Sequence, residues 1–188
     1  MKAQYPDPSC AERWAASLPR KESGVVALIQ VLFVCTGNTC RSPMAEGLLR
    51  KRLADLGRED IEVGSAGIGA GVGHPAADGA YLVALEDGVD LSSHRSRRLT
   101  PEMIESADVV LAMSREHAAV VDAMNPGDKA WLLGEYAGRG GDRAEIGDPY
   151  GGDLERYREA WIELSALVED LLDRLDREWP RDPDNDRG

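Results

Sequence analysis

Cys35 and Arg41, with five residues between them, are the two side chains in this chain best suited to act together on one substrate. A thiolate is a strong nucleophile, able to attack phosphorus and hold the phosphoryl group as phosphocysteine. A guanidinium is a planar fork of donors that grips two phosphoryl oxygens and stabilises the charge of the transition state. Between them lie Thr36, Gly37, Asn38, Thr39 and Cys40, small or polar throughout, and Ser42-Pro43 follow. Gly37 and Asn38 tolerate positive φ, which a loop needs if successive N–H groups are to point inward at an anion. Ser42 is placed to donate a hydrogen bond to the sulfur and help hold it as a thiolate. The chemistry implied is phosphoryl transfer to cysteine.

Such a loop needs rigid elements on both sides. The apolar run Val31-Leu32-Phe33-Val34 predicts a strand over residues 30–34, buried on both faces as in a parallel sheet. Leu48, Leu49, Leu53 and Leu56 form a helical stripe, so residues 44–56 read as a helix with Pro43 in its first turn. A strand emptying through a tight loop into a helix N-terminus brings unpaired N–H groups and the positive end of the helix dipole onto one point. That junction also favours thiolate over thiol. A bare C-x5-R occurs around ordinary packed cysteines; the strand before it and the Ser-Pro and helix after it give it meaning. No lysine stands where a nucleotide-binding phosphate loop requires one.

Thiolate attack must expel an alkoxide, phenoxide or amide, and a general acid makes that feasible. Asp148-Pro149-Tyr150 supplies a candidate, after the loop at residues 134–147 and just before the last helix. Proline holds the preceding aspartate extended, and loops carry function more readily than buried elements do. Taken alone, Asp-Pro-Tyr is a turn.

Residues 35–47, CTGNTCRSPMAEG, resemble the active-site loop of the low-molecular-weight protein phosphatase family, and the resemblance runs from about Val31 to about Trp179. It implies a cysteine-dependent phosphatase acting on phosphorylated proteins. Cys35 would be the nucleophile and Arg41 the phosphate clamp, with Thr36, Gly37, Asn38, Thr39, Cys40 and Ser42 completing the phosphate-binding loop. Asp148 would protonate the leaving group and then serve as base toward the hydrolytic water. Tyr150 would line the pocket mouth. Ser65, in VGSAG, and His94, in SSHRS, resemble the family residues that hold the loop's asparagine in its strained conformation and orient its serine. His74 and His117 read as surface histidines.

Thr39 bears on which phosphate is cleaved. Tyrosine phosphatases of the family usually place a bulkier apolar residue there, whereas its protein-arginine phosphatases carry threonine together with a D-P-[FY]-G-G acid loop. Thr39 and Asp148-Pro149-Tyr150-Gly151-Gly152 match the second pattern. No aromatic residue occurs from Ser65 to His74 to stack on phosphotyrosine. The resemblance thus implies protein phosphoarginine as substrate, with protein phosphotyrosine the alternative; a phosphate-binding module without catalysis is a more distant one. Arsenate reductases that share the loop relay electrons through further cysteines, and none follows Cys40. Cys40 itself reads equally as a packed thiol or as a disulfide partner for Cys35.

A formal charge of −12 argues against nucleic acid and against an anionic membrane as partners. Arg95, Arg97 and Arg98 are a local exception, read either as a solvated basic turn or as a contact for a phosphorylated protein. Neither Cys nor His falls at metal-ligand spacing, so no metal or other cofactor is implied. No apolar stretch approaches the roughly 18 residues of a membrane span. With three unevenly spaced cysteines and no apolar leader, a cytoplasmic location is expected.

Strands at residues 30–34, 61–65, 108–113 and 129–133 alternate with helices at 44–56, 75–86, 101 onward, 114–124 and 153–179. That alternation predicts an α/β fold, a doubly wound four-stranded parallel sheet with helices on both faces in a single domain. Residues 1–23, with a short helix at 11–18, are expected to lie outside the core. Residues 24–179 form the phosphatase domain, and residues 180–188 are a polar tail. The stretch GIGAGVG reads as permissive loop.

Overall fold

Val31, Phe33 and Cys35 point to one face of the sheet and Leu32 and Val34 to the other, and all five are buried. This two-sided burial is why their strand is apolar without alternation. The computed structural model describes residues 28–180 except Asn125. The strand is β1 (Ile29–Cys35), followed by α1 (Arg41–Asp55), β2 (Ile61–Gly67), α2 (Asp78–Glu86), α3 (Pro101–Ser106), β3 (Val109–Ala112) and α4 (Arg115–Ala123). Then come β4 (Ala130–Leu132), a single turn α5 (Leu133–Tyr136), and the long α6 (Leu154–Glu178). The four strands are parallel in the order β2-β1-β3-β4. The expected doubly wound α/β architecture is what the chain adopts.

The larger core lies between the sheet and α1, α2 and α6, and the smaller between the sheet and α3 and α4. Helix α6 contributes Tyr157, Trp161, Leu164, Val168, Leu171 and Leu175 to the larger core, as its three- and four-residue spacing requires. Ser114 caps α4 and Thr100 caps α3, each accepting an N–H from the first turn, with Pro101 opening α3. No helix among the described residues is long and apolar enough to cross a membrane.

Three expectations needed revision. Helix α2 begins at Asp78 rather than Pro75, because Ala77, whose N–H is taken by the carbonyl of Thr39 at 2.8 Å, has a non-helical ψ of 145° and stands as the N-cap. Residues 133–144 are not plain loop: α5 and a 3-10 turn at Gly141–Ala144 fold onto each other. Gly134 permits this, since a Cβ there would stand within 2.4–2.8 Å of the Ala144 backbone. His117 is buried, not on the surface. The short helix expected at residues 11–18 and the C-terminal tail from 181 onward fall outside the described residues.

Candidate active site

The loop between β1 and α1 closes on the sulfur of Cys35, which is buried. The Asn38 backbone N–H donates to Sγ at 3.2 Å, and Ser42 Oγ lies 3.0 Å from it. Asn38 shapes this loop. It is wholly buried and is the only non-glycine residue among those described with positive φ, 53°. Asparagine tolerates that left-handed conformation better than most side chains, but here every polar group it carries also has a partner. Its Oδ1 accepts the Arg97 N–H (2.9 Å), which orients the amide so that Nδ2 donates to Ser42 Oγ (2.9 Å) and to Ser65 Oγ (2.7 Å). Its carbonyl accepts from His94 Nε2 (2.7 Å), so that ring nitrogen carries the proton.

The direction of donation matters. Asn38 donates into Ser42 Oγ, which leaves the Ser42 hydroxyl proton free to be given to the sulfur 3.0 Å away when that sulfur is a thiolate. Ser65 receives from Asn38 and donates in turn to Glu46 on α1. Ser65 and His94 thus both act on Asn38, and Ser42 is reached only through it. Asn38→Asp replaces the shared donor by an oxygen in a site without water access. It should lower stability by about 3 kcal/mol, seen as a lower denaturant midpoint at unchanged slope, and cut turnover sharply in the fraction that folds.

Arg41, the first residue of α1, is buried and reaches toward the opposite wall. Its Nη1 donates to the Ile146 carbonyl (3.2 Å) and its Nη2 to Asp148 Oδ2 (2.7 Å). Asp148 arrives there because the Ile146 N–H bonds the Met113 carbonyl just beyond β3, laying the segment along the carboxyl end of the sheet. The other oxygen, Oδ1, accepts the Tyr150 N–H in a tight turn around Pro149. Tyr150 itself is 76% exposed. Thr39 is half-buried, its Oγ1 3.7 Å from Cys40 Sγ and within 3.4 Å of where a Cβ on Gly37 would sit.

Cys40 is buried as a free thiol, 3.5 Å from the Tyr157 hydroxyl. Burial raises the pKa of both groups, so Cys40 is held as a neutral thiol in the floor of the site. Arg97 packs over Gly64 and donates Nε to the Ser65 carbonyl, which gives this member of the basic cluster a structural task. Among the described residues no three His, Cys, Asp or Glu side chains converge as metal ligands.

Two participants escaped the sequence reading. Gly67, at the end of β2, has no side chain because the loop backbone crosses it: a Cβ would lie 2.5 Å from the Thr36 oxygen and 2.9 Å from the Asn38 nitrogen. His117 Nε2 meets Thr36 Oγ1 at 2.8 Å. Its one sequence signal was its place three residues after a capping serine at the carboxyl end of β3, the edge of a parallel sheet where ligands bind.

A buried thiol held by the Asn38 N–H and Ser42, followed on the same loop by an arginine that meets a carboxylate from the segment beyond β3, is the arrangement of a cysteine-dependent phosphatase. The family model described as low molecular weight phosphotyrosine protein phosphatase matches residues 30–181. The chain is 40% identical over 151 residues to the protein-arginine-phosphatase of Geobacillus stearothermophilus, covering 79% of this chain and 97% of that one. It is also 40% identical over 149 residues to the low molecular weight protein-tyrosine-phosphatase Etp of Escherichia coli strain K12, covering 78% and 95%. The fold superposes on a YwlE arginine phosphatase variant with a phosphorylated active-site serine at TM-score 0.75 and 36% identity, covering 80% and 98%. The chain belongs to the low molecular weight protein phosphatase family and is a protein phosphatase with a cysteine nucleophile.

Proposed function

We propose that this phosphatase hydrolyses phosphoarginine in proteins, with Cys35 as nucleophile, Arg41 as phosphate clamp and Asp148 as general acid and base. The Cys35 thiolate attacks phosphorus while Asp148 gives its proton to the departing guanidine nitrogen, breaking the P–N bond and forming phosphocysteine. Water then attacks the phosphocysteine, Asp148 takes its proton, and inorganic phosphate leaves with the thiolate restored. The loop N–H groups and Arg41 bind the phosphoryl oxygens throughout. The reduced state this cysteine needs fits a cytoplasmic setting.

The observation that carries the choice of substrate is the half-buried Thr39 in the wall of the loop. Its hydroxyl and methyl make a narrow, polar entrance where a larger apolar side chain would favour an aromatic ring. Two further features agree. Residues 66–73, beside the loop, are glycine, alanine, isoleucine and valine, with no ring to stack on phosphotyrosine. Asp148 already pairs with one guanidinium, that of Arg41. When a phosphoryl group occupies Arg41, the same carboxylate is free to receive the guanidinium of a substrate and to take from it the proton that it returns to the departing nitrogen.

Phosphate release from matched phosphoarginine and phosphotyrosine peptides tests this. The wild type should prefer phosphoarginine, and Thr39→Ile should shift the ratio of kcat/KM toward phosphotyrosine by about tenfold or more. Activity on phosphotyrosine with none on phosphoarginine would sink the substrate assignment and make this a tyrosine phosphatase with an unusual loop.

A further inference from the structure

His117 is 1% exposed, and both of its ring nitrogens are engaged. Nδ1 lies 2.8 Å from Oγ of Ser114, the N-cap of its own helix, and Nε2 lies 2.8 Å from Oγ1 of Thr36. A neutral imidazole has one donor and one acceptor, and these two hydroxyls use both. Thr36 is the residue next to Cys35, and it is gripped from two directions. Its carbonyl accepts the Gly69 N–H (2.9 Å) from the β2 side, while its side chain meets His117 from the β3–α4 side.

The surroundings of the ring favour the neutral form. Arg41 faces it from α1, Asp148 and Glu145 from the segment that carries the acid, and Glu116 from α4. Burial first, and then the charge of Arg41, hold its pKa below the ordinary value, against the weaker pull of the three carboxylates. A proton on His117 would place a second cation near the guanidinium proposed to hold the phosphoryl group.

We propose that His117 is a positioning residue for the phosphatase reaction: it clamps the Thr36 side chain, so that the peptide after the nucleophile keeps one geometry as phosphate passes onto and off Cys35. The proposal rests on Cys35 being that nucleophile. Donors aimed at developing charge act by being held still, and a displacement of about 1 Å can lower a rate on the order of 100-fold. The clamp therefore acts on kcat more than on KM.

A double-mutant cycle on the full-length protein separates this from a general packing role. His117→Asn keeps an amide near the position of Nδ1, within reach of Ser114, but is too short to reach Thr36. Thr36→Val removes the partner from the other side, at an exposed position, and the denaturant midpoint of each variant checks that it is folded when assayed. With an aryl phosphate as probe, each single change should lower kcat about tenfold with KM within about twofold, and the double change should be no worse than the poorer single one. Losses that multiply in the double variant, or wild-type kcat in Thr36→Val, overturn the proposal.

The protonation state has its own readout. The unfolded chain takes up a proton on this histidine below about pH 6.5, whereas the folded chain resists it, so wild-type stability should fall as pH drops through that window. His117→Asn should lack that component of the slope; identical slopes would overturn the assignment of a neutral imidazole. Cys35→Ser serves as control. If it retains turnover, the nucleophile assignment fails and the clamp falls with it, whereas an inactive Cys35→Ser beside unaffected His117 and Thr36 variants overturns the clamp alone.

Discussion

Cys35→Ser is expected to reduce phosphate release by on the order of 10⁴-fold or more while leaving substrate binding in place. The reason is chemical. Serine is nearly the same size, and its hydroxyl still receives the Asn38 N–H and sits beside Ser42 Oγ. A serine hydroxyl, however, is a far weaker acid than a thiol, and the structure places no base on it: the nearest groups are donors that stabilise an anion already formed. Pre-steady-state assays with excess substrate should show no fast burst of the leaving group, and a phosphopeptide should still be retained with an affinity close to the wild-type KM. Turnover by Cys35→Ser at more than a few per cent of wild type would end the phosphocysteine mechanism.

The second large effect belongs to Asp148. Asp148→Asn keeps an oxygen able to accept from Arg41 Nη2, so the guanidinium stays anchored between residue 148 and the Ile146 carbonyl. What disappears is the proton. The loss in kcat should be about 10²–10³-fold on substrates with a basic leaving group, the usual worth of general acid catalysis. It should shrink several-fold on para-nitrophenyl phosphate, whose leaving group departs with little help. Equal losses on both substrates would mean that Asp148 serves only to hold Arg41. The 2.7 Å pair in the structure makes that outcome a real alternative, so comparing leaving groups is more informative than a single rate.

The Arg41–Asp148 pair also suggests an order of events. The carboxylate occupies one arm of the fork that the phosphoryl group needs, so substrate entry exchanges one anion for another on Arg41. Because Asp148 is half-exposed, screening by water keeps that exchange inexpensive. The released carboxylate is left beside the leaving group, where it must first take up a proton to act as the proposed acid.

Much of this was legible in the chain. Spacing alone brought Cys35, Arg41 and Ser42 to one loop, because a strand, a tight turn and a helix leave little choice in how those side chains face. The long stripe of α6 and the caps at Thr100 and Ser114 were readable for the same reason: each depends on neighbours within one or two turns. Ser65 and His94 were identified only through resemblance to a family, and Asp148, a candidate acid on chemical grounds, was tied to the cysteine loop only by that resemblance, since nothing local links residue 148 to residue 41. Short-range pattern also misled where a distant backbone group intervened. Ala77, tied to the Thr39 carbonyl with a non-helical ψ, moved the start of α2 to Asp78, and the bare face of Gly134 let an expected loop fold into a helical turn against Ala144.

His117 and Gly67 mark the boundary most clearly. In sequence, one is a histidine on an amphipathic helix and the other a glycine among several in GIGAGVG. Packing β2 and β3 against β1 puts the first against the Thr36 hydroxyl and the second beneath the Thr36 and Asn38 backbone. The sequence alone set the proposed nucleophile, its loop and the parallel sheet beneath it, because those follow from residue spacing, local periodicity and the conformations that glycine, asparagine and proline allow. The tertiary fold decided which distant side chains steady that loop and which carboxylate meets its arginine, because hydrogen bonds between residues as far apart as Thr36 and His117 exist only after the strands between them have been paired.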